Sequence, residues 1–246
     1  TSLRVLNWTF ALHYYRDSPF LTDEVFNKIQ FVIYWQIDHV YKNINFSRIA
    51  VRNNHTITET LTLYLTGLLY PQFPDAEKWK QKGKAWFEEE IAYQVYDNGT
   101  FLQFSMNYHR VVIQLLTWAI VLAEKNYESF ATVVYDRAKK SLQFLRTCMI
   151  DENGYLPNYG ANDGALFFRL NDAVYRDYRP SLDALASALK IDLSFGKKYE
   201  DIYWYGIENK LVETLLPDIG MHSFNKGGYY IFREKHSLTF ISSGNH

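Results

Sequence analysis

The sequence predicts a mainly α chain: a closed or partly closed ring of helical hairpins that gives way to β-strands near Gly220. Three observations predict it. Apolar residues recur with a helical period from Ser2 to about Leu216. The connections between helical stretches are short, so neighbouring helices should run antiparallel as hairpins. Past Gly220 the texture changes to short aromatic and β-branched runs bounded by turn residues. No exact repeat of about twenty to fifty residues is visible, which argues against a regular solenoid. A compact helical bundle satisfies the same pattern.

In chain order, helices are expected over 2–16, 22–45, 55–70, 75–96, 104–125 and 128–149, with shorter ones over 163–168, 180–190 and 199–215. Ser18-Pro19 and Thr22-Asp23-Glu24 open the second helix. Pro74-Asp75-Ala76-Glu77 opens the fourth, with proline and acids in the first turn. Asp97-Asn98-Gly99 ends the fourth, and Asp151-Glu152-Asn153-Gly154 ends the sixth, both as turns. Gly227–Arg233 and Ser237–Ser243 read as paired strands around a Glu234-Lys235-His236 turn. A lone hairpin is marginal in water. The expected division is therefore a helical domain over 1–219 and the beginning of a truncated β-domain over 220–246. The start at Thr1-Ser2-Leu3, with no initiator Met or signal peptide, reads either as a processed start or as an excised piece.

Composition narrows the function. Hydrophobic residues make up 48% of the 246, enough for a sizeable core. With 26 basic and 27 acidic side chains there is no basic excess to neutralise phosphates, so no nucleic-acid partner is expected. No apolar run reaches about eighteen residues, so no membrane span is expected. Cys148 is alone, which excludes a disulfide framework and a cysteine metal site. The 20 Tyr, 17 Phe and 6 Trp suit helix packing and equally a sugar cleft, where rings stack on pyranose faces.

Two polar clusters interrupt the apolar helices. The first is Arg52-Asn53-Asn54-His55, with Glu59 one turn on. Asn54 is a good N-cap for a helix that opens at His55. His55 and Glu59 sit four apart and share a face, where a mutual hydrogen bond is the commoner outcome than a metal. The second cluster is Asn107-Tyr108-His109-Arg110, at the start of a long apolar helix. Neighbouring side chains there diverge by about 100°, so one faces the core and the other the ring centre.

Several runs, taken in order, resemble the heparinase II/III family of polysaccharide lyases. They are Asn53–Glu59, Phe73-Pro74-Asp75 with Trp79, Asp97-Asn98-Gly99 through Ser105–His109, Gly160–Ala165, Asp177–Leu182 and Gly227-Gly228-Tyr229-Tyr230. The resemblance covers nearly the whole chain. It implies an incomplete (α/α) toroid followed by the first strands of an antiparallel β-sandwich, and β-elimination on an acidic, uronate-containing polysaccharide. Asn54 matches the position that neutralises the uronate carboxylate, and Asn53 is the second candidate for it. Tyr108 matches the catalytic tyrosine, and His109 or Arg110 could supply the positive charge a phenolate base needs. His55, Glu59, Asp163 and Arg179 join them as candidate substrate contacts. Asp163 and Arg179 also read as a buried pair joining loop to helix. The family's second proton-transfer group is a histidine of the β-sandwich, for which His246 is the candidate here. Several relatives place an acid where this chain has Gln103.

The resemblance further implies a periplasmic or secreted bacterial protein. It allows a divalent metal in the β-domain, although these residues show no ligand set and no cofactor is assigned to them. Two other readings stay open. A toroid glycoside hydrolase needs two carboxyls roughly 5–10 Å apart, with Glu59 and Asp163 as candidates. A non-catalytic glycan-binding fragment is the other. Heparan-type glycosaminoglycans, alginate-like uronans and bacterial surface polysaccharides all present a 4-linked uronate.

Overall fold

The computed structural model describes residues 1–208 and 210–243. These fall into two compact units, Thr1–Glu89 and Glu90–His246. The division expected at 219/220 lies inside the second.

The first unit holds α1 (Ser2–Tyr14), α2 (Asp23–Asn45), α3 (Asn54–Leu69) and most of α4 (Ala76–Gln94). Thr22 caps α2 by accepting from the Val25 N–H, with Asp23 and Glu24 in the first turn at the positive end of the helix dipole. Ile33, Ile37, Val40 and Ile44 on α2 follow helical spacing and pack with Val5, Leu12, Leu63, Tyr70 and Trp79. Each such buried side chain contributes about 1.5–3 kcal/mol of transfer free energy. A single π-helical stretch, Phe46–Val51, continues α2 and ends at Arg52, whose φ of 40° turns the chain into α3.

α3 is buried on nearly every face although it is rich in threonine. The hydroxyls of Thr58, Thr60 and Thr62 donate to the carbonyls of Asn54, Thr56 and Thr58 at 2.7–2.8 Å. That local bonding satisfies them without outside partners. α3 and α4 meet backbone to backbone, because a Cβ at Gly83 would stand 2.3 Å from the Tyr64 nitrogen.

The second unit is built on α5 (Met106–Lys125), buried along almost its whole length. α6 (Thr132–Thr147) and α7 (Arg179–Ala188) pack beside it. Two-residue strands β1 (Ile191–Asp192) and β2 (Glu213–Thr214) pair in parallel, with the short α8 (Glu200–Trp204) between them. The remaining strands, β3 (Gly220–Phe224), β4 (Tyr229–Arg233) and β5 (Leu238–Ser242), form an antiparallel sheet in that order. Tyr229, Ile231 and Arg233 face inward by the period-2 rule. Phe144 of α6 stacks on Tyr229 at 5.4 Å, and Arg233 donates to the carbonyls of Thr147 and Met149 at 3.2 and 2.6 Å. Those contacts seat the sheet on the end of α6.

Three expectations are corrected. Residues 163–168 form no helix. Asn162 and Asp163 accept from the backbone N–H two residues on, giving Asx turns that compete with helix. The helix expected over 199–215 stops at Trp204, and Gly206, with φ 58°, diverts the chain toward β2. The sheet has a third strand, β3, where no strand was expected.

Gly83→Ala should lower the unfolding free energy by about 1–3 kcal/mol, because a methyl group has no room against the α3 backbone. Urea unfolding checks this. A midpoint equal to wild type, or raised by alanine's better helix propensity, would contradict it.

Candidate active site

In the first unit the polar cluster shapes the start of α3. The cap is Asn53, not Asn54: its extended backbone lets Oδ1 accept from the His55 N–H at 2.9 Å. The left-handed turn at Arg52 brings the chain in one residue earlier than the sequence suggests. Asn54 becomes the first helical residue and is buried, while the next side chain, His55, is exposed. An amide in the first turn of a buried helix stands at the positive end of its dipole, a setting that favours an anion. The expected His55–Glu59 hydrogen bond does not form. Glu59 accepts instead from Ser47 Oγ at 2.6 Å, and Thr56 Oγ1 donates to the Ser47 carbonyl at 2.8 Å. Both tie the π-helical stretch to α3. Arg52 pairs with Glu89 at 3.6 Å.

In the second unit the cluster opens α5. Ser105 caps it, accepting from the Tyr108 N–H at 3.1 Å and donating to the Ala161 carbonyl at 2.6 Å. The Met106 N–H bonds the Tyr159 carbonyl at 3.1 Å. Between them Gly160, at φ 80°, passes so close that a Cβ would meet the Phe104 carbonyl oxygen at 2.1 Å. Further along the helix, Gln114 clasps the Phe167 backbone, accepting from its N–H at 3.1 Å and donating to its carbonyl. The irregular chain between Pro157 and Tyr178 is thereby strapped along α5.

The residues of the cluster diverge as helix geometry requires. Tyr108 is half-buried and donates its phenol proton to Asp163 Oδ2 at 2.7 Å. That hydrogen bond, then burial and the Asp163 charge, raises the Tyr108 pKa above the ordinary tyrosine value. His109 turns into the core between Phe101 and Phe144, with Nε2 3.0 Å from Ser141 Oγ. Burial pushes its pKa down to about 3, so the ring is neutral. Arg110 lies between the rings of Tyr175 and Tyr178, at 4.4 and 4.3 Å, and donates to the Tyr175 carbonyl and to Asn107 Oδ1. The expectation that His109 or Arg110 supplies positive charge to the phenol is therefore corrected: one is neutral, and the other is spent on the loop.

Asp163 and Arg179 do not pair. Arg179 forms a two-point pair with Asp177 at 2.9 and 2.8 Å, and Asp163 goes to Tyr108. His246 lies outside the described residues. The sequence reading missed Tyr175, whose hydroxyl lies 2.7 Å from Asn107 Oδ1 and 2.6 Å from Asn162 Oδ1. The available signal was Arg110 itself, a guanidinium in an apolar helix that needs acceptors and rings from elsewhere. Among the described residues no three His, Cys, Asp or Glu side chains are grouped to hold a metal ion. Among them, too, no helix is long and apolar enough to cross a membrane.

The sequence is 26% identical over 195 residues to a heparin-sulfate lyase of Bacteroides thetaiotaomicron, covering 73% of this chain and 25% of the relative. Among solved structures, a heparinase III crystal structure aligns over 98% of this chain and 36% of its own, with a TM-score of 0.71 at 20% identity. A mutant heparan sulfate lyase from Pedobacter heparinus aligns over 98% and 35%, with a TM-score of 0.61 at 19% identity. The chain thus spans about a quarter of the curated relative's length and about a third of these structures. The likeness shows the fold: mainly α, an incomplete (α/α) toroid of helical hairpins followed by the first strands of an antiparallel β-sandwich. The family profile described as Heparinase II/III N-terminus matches residues 1–185, and the chain belongs to the heparinase II/III family.

Proposed function

We propose that this chain is the toroid part of a polysaccharide lyase that cleaves a uronate-containing acidic polysaccharide by β-elimination. Residues 1–219 would form the toroid domain and 220–246 the start of the β-sandwich. The reaction removes the proton on the carbon bearing the uronate carboxylate and breaks the adjacent bond to the 4-linked oxygen. A carbon–carbon double bond forms between the two ring carbons. Asn54 donates hydrogen bonds to the carboxylate, so that the enolate-like charge is tolerable. Tyr108 transfers a proton. The second proton-transfer group, which takes the ring-carbon proton, is a histidine of the β-sandwich by family likeness.

One observation carries the reading. Of the Asn107–Arg110 cluster, Tyr108 keeps an accessible phenol while His109 and Arg110 are turned into packing. Family membership and the buried Asn54 amide support it. The relatives' names point to heparin or heparan sulfate, a uronate-bearing glycosaminoglycan, as the first substrate to try. A periplasmic or secreted bacterial location fits that substrate.

In the whole protein, Tyr108→Phe should abolish the ultraviolet-absorbing unsaturated product while the helical circular dichroism stays as in wild type. Normal turnover by that variant would sink the assignment. Asn54→Ala should cut kcat by about a hundred- to a thousandfold, the usual cost of losing one donor to a developing oxyanion. The 246-residue piece alone is expected to make no product. Strong activity from it would contradict the need for a facing β-domain.

A further inference from the structure

We propose that Asn162 is a substrate-contacting residue whose amide oxygen accepts a hydrogen bond from a sugar hydroxyl of the polysaccharide, next to Tyr108. The proposal rests on the reading of Tyr108 as part of a polysaccharide site.

One proton here is shared between two acceptors. The Tyr175 hydroxyl lies 2.7 Å from Asn107 Oδ1 and 2.6 Å from Asn162 Oδ1. A phenol has a single O–H to give. Neither amide can turn its nitrogen to the hydroxyl instead. Asn107 Oδ1 also accepts from Arg110 at 2.9 Å, and Asn162 Oδ1 also accepts from the Gly164 N–H at 3.1 Å. Both atoms facing Tyr175 are therefore oxygens, and at any moment one of them lacks the proton.

Burial decides which. Asn107 is buried on α5 and can take a donor only from within the protein. Asn162 is exposed on the loop and can take one from outside. The Tyr175 proton thus goes to Asn107 when a ligand hydroxyl reaches Asn162. A carbonyl oxygen has two lone pairs, so with the Gly164 N–H on one, Asn162 has room for one further donor. The carboxylates of an acidic polysaccharide have no proton to give at neutral pH, whereas its hydroxyls do.

The position fits a substrate contact. Asn162 directly precedes Asp163, whose Oδ2 accepts from the Tyr108 phenol at 2.7 Å. The loop already presents the amide. Ser105 holds the Ala161 carbonyl at 2.6 Å, and Asp163 Oδ1 closes a turn on the Ala165 N–H at 3.0 Å. Such preorganisation lowers the cost of binding. The Asn162 nitrogen makes a long contact, 3.4 Å to Asn158 Oδ1, so the other end of the amide can adjust to a ligand.

The test is steady-state kinetics of the whole protein on heparan sulfate. Asn162→Ala should raise KM about three- to tenfold, the worth of one neutral hydrogen bond, with little change in kcat. Tyr175→Phe removes the competing donor, and its KM should stay below that of Asn162→Ala by a similar factor. An unmoved KM in Asn162→Ala, or an equal rise in both variants, overturns the proposal. Carbon-13 tyrosine labelling checks the loop: the resonance missing in Tyr108→Phe should keep its position in Asn162→Ala. If Asn162→Ala does not fold or shifts that resonance, Asn162→Gly is measured in its place. A shift in both gives Asn162 a structural role and overturns the proposal. Retention on immobilised heparan sulfate repeats the comparison without turnover, and Asn162→Ala should elute earlier than wild type. If the wild type makes no product, or Tyr108→Phe turns over normally, the lyase reading falls and retention decides Asn162. Equal retention of wild type and Asn162→Ala, or none of either, overturns the proposal.

Discussion

The second unit depends on one constraint: α5 is buried along almost its whole length and yet carries Asn107, His109, Arg110 and Gln114. Each buried polar group needs a partner or costs free energy on the order of 1–3 kcal/mol. The chain supplies most of those partners from a stretch with no regular structure. The Tyr175 carbonyl and two tyrosine rings receive Arg110, and the Phe167 backbone pairs with Gln114. The dependence is mutual. A long loop has backbone groups of its own to satisfy, and it satisfies several of them on the helix. Loop and helix thereby fix each other's position, and Asp163 arrives at Tyr108 as a consequence.

The first unit solves the same difficulty within a single helix. α3 is as buried as α5, but its polar residues are mainly threonines that bond back to their own helix. That leaves its surface free to pack, and Gly83 on α4 lets the neighbouring backbone come into contact. Several of its other polar groups gather at the amino end, where Asn53 caps, Asn54 opens the helix and Glu59 takes the Ser47 hydroxyl. Concentrating them there keeps an amide at the dipole's positive end, without weakening the packed body of the helix.

The long helices were legible in the sequence because burial on one face leaves a 3.6-residue period, and caps such as Thr22 carry a local signature. Asn54 and Tyr108 were singled out by resemblance alone. What could not be read is what depends on distant partners. The stretch 163–168 looks helical by composition, yet its conformation is set by Asx turns and by Gln114, some fifty residues earlier in the sequence. The shift of the cap from Asn54 to Asn53 follows from a single left-handed residue, Arg52, which has no propensity for that conformation. β3 lacks a strong strand pattern and is held in register by β4. Asp163 and Arg179 were recognisable as a matched acid and base, but sequence offers no way to see that Asp177 would claim the arginine.

That last exchange has a chemical consequence. Arg179 is held in a two-point pair with Asp177, and the Asp163 carboxylate accepts from the Tyr108 phenol. The same placement puts a carboxylate against the phenol. Arg110 cannot offset it directly, since its guanidinium is enclosed by two rings and a carbonyl.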